Sequence, residues 1–166
     1  MLTLFHYPQI PKKIMKFKNF QDAADQLTIK LKADLDLNQT WLLLGIGDFG
    51  FAIAQRVAMN LDLNAAKIQV NQTQDEYGYR IVESILISDF LETKLVICDL
   101  GVETGTMAQL VAAELANLNE DLQVYFAAPV IPVEAQADLK SSYNGVISLK
   151  NPMIRRALLW EYQQFS

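Results

Sequence analysis

Two strongly apolar runs constrain this chain more than anything else in it: "TWLLLGIG" at 40–47 and "KLVICDL" at 94–100. Each reads as a strand buried on both faces, and each runs into a small, glycine-containing turn followed by residues at helical spacing. Two further runs, "LQVYFAAPV" (122–130) and "GVISL" (145–149), read the same way. Strands alternating with helical segments predict a single-domain α/β fold over 1–166. It has a mostly parallel central sheet, helices on both faces, and strands near 40–46, 67–71, 94–99, 122–128 and 145–149.

The helical patterns fill the gaps. Asn19 reads as a cap, and Phe20, Ala23, Ala24, Leu27, Leu31 and Leu35 then share one face. In 51–61, Phe51, Ala54, Val57, Ala58 and Leu61 fall together. In 106–118, Leu110, Val111, Leu115 and Leu118 are expected to point inward. Pro132 opens a short helix to about Tyr143. Pro8 and Pro11 mark residues 1–16 as an N-terminal arm, with His6 expected at its surface. Between Ile68 and Ser88 the period changes to alternation around Gly78, which predicts a hairpin with Tyr77 and Tyr79 at its tip.

Charge and composition narrow the function. The net charge of −5 opposes a general nucleic-acid footprint. One cysteine and one histidine allow neither an internal disulfide nor a Cys/His metal cluster, and Cys98 inside an apolar run reads as a buried, inert thiol. No apolar run approaches the ~18 residues needed to cross a membrane. The first residues do not read as a signal peptide, so a soluble cytoplasmic protein is expected.

In open α/β sheets ligands sit beyond the carboxyl ends of the strands. Two loops qualify, Gly45–Gly50 and Asp99–Thr106. In "DLGVETGT", Gly101 and Gly105 permit a tight turn and close approach of a ligand, while Thr104 and Thr106 offer hydroxyls at a helix N-terminus. Asp99 is placed to accept bonds from sugar hydroxyls or to hold a cation. The alternative is a threonine N-cap with glycines serving the turn. In "GIGDFG", Gly45, Gly47 and Gly50 fit a dinucleotide GxGxxG, but no acid ends the following strand near Asn71-Gln72. Asp48 reads there as a helix cap.

Residues 96–107 resemble the ribose-phosphate signature of type I phosphoribosyltransferases. Asp99 matches its first acid and Thr104-Gly105 its Thr-Gly core. The segment "WLLLGIGDFGFAIAQRVAMNLDL" is similar to that family's strand, pyrophosphate loop and helix. The stretch from "APVIPVEAQ" to "EYQQFS" looks like the end of a group of small bacterial members, so the resemblance spans roughly 16–166. It implies a phosphate site at Gly101, Val102, Glu103, Thr104, Gly105 and Thr106, and a ribose and Mg²⁺ site at Asp99. It also implies a pyrophosphate loop at Gly45, Ile46, Gly47 and Asp48, and a catalytic hood near 71–84. No catalytic residue is assigned.

The departures from the family are specific. Leu100 replaces the second acid, Met107 stands at the closing Thr position, and Asp48 stands where the family has Arg or Lys. Two unit charges at about 4 Å interact by roughly 4 kcal/mol at an effective dielectric near 20, so Asp48 is expected to repel pyrophosphate unless Mg²⁺ intervenes. The hood is short, with Arg80 its only base. The expectation is a protein that binds a sugar 5′-phosphate or nucleotide with weak or lost transfer. The alternatives are an active Mg²⁺-dependent enzyme using phosphoribosyl pyrophosphate, or a dimerising protein with a vestigial loop. A homodimer is expected, with Trp160, Tyr162 and Phe165 as core or dimer contacts. Arg155-Arg156 reads as a solvated basic turn.

Overall fold

Strands buried on both faces need helices on both faces, and the computed structural model, which describes residues 16–154 and 157–165, has that arrangement. The element order is α1 (Phe20–Asp34), β1 (Leu42–Ile46), α2 (Gly47–Leu61), β2 (Asn64–Gln74), β3 (Arg80–Leu86), β4 (Lys94–Cys98), α3 (Thr106–Leu118), β5 (Gln123–Val130), α4 (Val133–Ser142) and β6 (Gly145–Lys150). A 3₁₀ turn follows at Leu158–Glu161. The sheet order is β3-β2-β1-β4-β5-β6. All neighbours pair in parallel except β2 and β3, which form the antiparallel hairpin. The expected α/β architecture is present, with β4 central between β1 and β5.

Alternation along the strands divides the core in two. Leu43, Val96, Cys98, Ala127 and Ile147 pack under α1 and α2. Leu44, Ile68, Ile97, Phe126 and Ala128 pack under α3 and α4. Asn19 caps α1 as expected: its side chain accepts the Asp22 N–H at 2.9 Å, and the Asp22 carboxylate accepts the Lys18 N–H in return. Across α1 and α2, Arg56 grips Asp25 through two hydrogen bonds of 2.9 and 3.2 Å.

Three sequence expectations need correction. In α3, Ala108, Val111 and Leu115 are buried, whereas Leu110 and Leu118 are 39% and 60% exposed. That helix is apolar nearly all round, so periodicity leaves its inward face undetermined. In α2, Ile53 rather than Phe51 is fully buried. Strand β2 runs well past 67–71 at both ends, because β3 pairs with it beyond the parallel sheet and a bulge at Asn71/Gln72 absorbs the change in register. The readings of His6, Pro8, Pro11 and Arg155-Arg156 fall outside the described residues.

Candidate functional site

The parallel strands carry both expected loops to one edge of the sheet, where they flank a cleft of about 1030 Å³. Ile46, Gly47 and Asp48 line one side, and residues 99–108 line the other. The hairpin contributes Val70, Gln72, Tyr79, Arg80 and Val82, and the closing segment contributes Ala157, Leu158 and Phe165. Gly45 alone among the expected site residues lies outside this lining. A Cβ there would sit 2.3 Å from the Phe51 Cα, so Gly45 lets α2 pack on β1 rather than admitting a ligand.

The loop after β4 is fixed at its base and open at its tip. Leu100 and Val102 are buried in the two opposite halves of the core. The Val102 N–H donates to the Val130 carbonyl at 2.9 Å. Thr104 and Thr106 are exposed. Neither threonine caps α3. The N-cap is Gly105, at φ 86°, with no side-chain bond to the helix, and Thr104 Oγ1 accepts only a long 3.4 Å contact from the Thr106 N–H. A left-handed φ of this kind favours glycine. Apart from that long contact, no side chain caps the start of α3, and its first residues, Thr106, Met107 and Ala108, line the cleft. The helix α2 also begins without a side-chain cap: its N-cap is Ile46, and Gly47 has φ 62° with open space above it.

Asp48 is consequently not a cap, which corrects the sequence reading. Its carboxylate is 89% exposed and accepts a 3.0 Å salt bridge from Lys67 Nζ on β2. The parallel register that sets Lys67 beside Gly45 makes this pair. The acid is thus offset by a neighbouring base that motif spacing did not reveal, and the expected repulsion is weaker than a lone carboxylate would produce.

Asp99, at the end of β4, is only partly exposed, and burial raises its carboxyl from 3.8 to about 7, opposed in part by the Leu100 N–H, which donates to Asp99 Oδ1 at 2.7 Å. Burial likewise pushes up the neighbouring Cys98 thiol and the Tyr143 and Tyr162 hydroxyls. Cys98 is a buried free thiol, as its apolar run implied. Leu100, the residue at the second acid position, is 3% exposed. Its side chain is in the core and its carbonyl accepts the Tyr162 hydroxyl at 2.9 Å.

In the closing segment, expected to supply core or dimer contacts, Tyr162 is buried and stacks edge-on with Phe20 and Phe165, while Phe165 also meets Phe49 at the cleft wall. Trp160 is 64% exposed. The hairpin tip is organised by Asp75, whose Oδ1 accepts the Tyr77 and Tyr79 N–H groups at 2.9 and 2.8 Å, leaving both tyrosine rings exposed. Among the described residues, no three His, Cys, Asp or Glu side chains are grouped to hold a metal ion, and no helix is long and apolar enough to cross a membrane.

No family model and no curated protein sequence matches the chain. Solved structures do. The TT1426 protein of Thermus thermophilus superposes with a TM-score of 0.70 at 20% identity over 92% of each chain. Named phosphoribosyltransferases superpose as well, and the fold is phosphoribosyltransferase-like. The Helicobacter pylori xanthine-guanine-hypoxanthine phosphoribosyltransferase matches at TM-score 0.60 and 17% identity, over 87% of this chain and 93% of that one. A purine phosphoribosyltransferase of Pyrococcus horikoshii matches at 0.57 and 17%, over 81% and 94%. In this phosphoribosyltransferase-like fold the cleft lies beyond the carboxyl ends of β1 and β4.

Proposed function

We propose that the chain binds a sugar 5′-phosphate or nucleotide, with its phosphate in the 101–106 loop and transfer activity weak or lost. The observation that carries this is the start of α3. A left-handed Gly105, two exposed threonines and a helix start with no side-chain N-cap line a cleft that also contains Asp99. Orphan donors and the positive end of the helix dipole favour an anion there. The Thr104 and Thr106 hydroxyls would add donors, and Asp99 would meet the sugar hydroxyls.

Transfer from a phosphoribosyl pyrophosphate asks for positioning and for charge stabilisation of the leaving group. Position 100 offers no carboxylate, since Leu100 is in the core, and Asp48 occupies the pyrophosphate loop. Mg²⁺ commonly binds through one or two carboxylates together with substrate phosphates. One acid at Asp99 fits an ion brought in on the substrate, which would neutralise phosphate charge.

A second reading, an active phosphoribosyltransferase, is favoured by one observation. Lys67 stands 3.0 Å from Asp48 and offers a cation at the same loop. Calorimetry with ribose 5-phosphate and with phosphoribosyl pyrophosphate and Mg²⁺, on wild type, Thr104→Ala and Gly105→Val, tests the first reading. Binding by wild type that both variants lose supports it. Equal binding by all three refutes the loop as the site, and rapid pyrophosphate release with a common nucleobase establishes the second reading.

A further inference from the structure

The closing segment 157–165 is built into the candidate anion loop rather than laid beside it. A Cβ on Gly101 would lie 2.4 Å from Leu158 Cδ2, so the Leu158 side chain occupies the space that the missing side chain leaves. One residue earlier, the Leu100 carbonyl accepts the Tyr162 hydroxyl. The segment has its own anchors far from the loop: the Phe17 N–H donates to the Glu161 carbonyl at 2.9 Å, the Gln163 N–H to the Phe17 carbonyl at 2.7 Å, and Lys150 pairs with Glu161 at 3.6 Å in a largely buried setting. The Val102 N–H bond to Val130 holds the loop from the opposite side. Residues 100–102 are thus clamped between β5 and the closing segment, while Thr104 and Thr106 stay open to the cleft.

We propose that Leu158 and Tyr162 are positioning residues for the anion loop, and that Gly101 is glycine to seat Leu158 rather than to let a ligand approach. The proposal rests on the reading of 101–106 as an anion site. Backbone donors bind an anion strongly when they already converge, because ordering a mobile loop subtracts from affinity. With the segment docked, that ordering is completed on folding.

Ribose 5-phosphate is titrated by calorimetry into wild type, Leu158→Ala, Gly101→Ala, the double variant Gly101→Ala/Leu158→Ala, Tyr162→Phe and Trp160→Ala. Amide exchange at 101–106 is followed without ligand. Leu158→Ala and Gly101→Ala are each expected to weaken binding about tenfold and to speed exchange at 101–106. The double variant, whose new methyl fills part of the vacated space, recovers most of the affinity. Tyr162→Phe keeps the ring and removes only the bond to Leu100, and weakens binding about threefold. Trp160→Ala changes neither readout. Wild-type affinity and wild-type exchange in both Leu158→Ala and Tyr162→Phe would overturn the proposal. If wild type itself does not bind, the anion-site reading fails instead, and exchange at 101–106 alone then decides whether the segment holds the loop.

Discussion

Replacing Asp99 by Asn should stabilise the protein at neutral pH, by a margin that grows from about pH 4 to about 7 and is level above that. Burial disfavours the charged form of the Asp99 carboxyl and pushes it up from 3.8 to about 7. At about 1.4 kcal/mol for each tenfold change in proton affinity, the charged side chain costs up to about 4 kcal/mol of folding free energy above neutral pH. Residual exposure of Asp99 makes this an upper bound, and about 2–4 kcal/mol is the working range. The sign follows from proton counts. Between pH 4 and 7 the folded state keeps a proton that the unfolded state has released, so this group's contribution falls as pH rises through that window and is level above it. Asn keeps an oxygen to accept the Leu100 N–H and has no charge to bury. Urea denaturation of wild type and Asp99→Asn from pH 4 to 9 should give nearly equal stabilities at the acid end and a gap that widens to neutrality. Parallel curves would refute the reasoning, because they would mean that Asp99 is ionised in the fold without penalty.

Gly105→Ala should lower stability by about 1–2 kcal/mol, because the left-handed backbone is disfavoured by a Cβ while Ala135 and Leu139, at 3.8 Å, leave room for one; chemical denaturation measures it. Asp48→Asn should tighten pyrophosphate binding and Lys67→Gln should weaken it, with ribose 5-phosphate affinity unchanged in both, as read by calorimetry. Amides at Asp75–Tyr79 should exchange fast in a hydrogen-exchange experiment, since the hairpin tip is exposed and lacks apolar burial. Leu100→Asp should destabilise by roughly 3 kcal/mol or more, by placing an unpaired charge in the core, and a thermal melt matching wild type would exclude that placement.

The sheet was legible because β1, β4 and β5 are buried on both faces and carry nearly unbroken apolar sequence. The hairpin was legible for the opposite reason: its polar alternation around Gly78 suits two half-exposed strands. Both loops were legible as glycine-bearing turns after buried strands, since a parallel sheet carries such turns to one edge. Pair contacts across sequence were not. Lys67 reaches Asp48 only because β2 pairs with β1 in a register that sets it beside Gly45. Tyr162 reaches the Leu100 carbonyl from 62 positions away, and no local pattern records that. Glycine was the residue most easily misread. The turn chemistry that suggests ligand approach also fits Gly45, where α2 backbone fills the space, and Gly101, where Leu158 does. Only Gly47 and Gly105 combine a positive φ with a place in the cleft lining.

Asp99 and Leu100 belong to one electrostatic argument. A second carboxylate beside a group already raised to about 7 would push both toward the protonated form, since burial and like charge act in the same direction. With leucine at position 100, the Leu100 backbone N–H is still available to Asp99, and the side chain joins the core instead of the cleft. On the proposed reading, the ribose then meets a single carboxyl that is partly protonated near neutral pH. In that form it can donate one hydrogen bond as well as accept, where an ionised carboxylate only accepts. A cation or a donor-rich sugar would draw it back to the ionised form. Affinity for a ligand that needs the ionised carboxylate should therefore keep rising with pH above about 6.5, past the second titration of its phosphate near 6, and calorimetry from pH 6.5 to 8.5 that shows no rise would refute this.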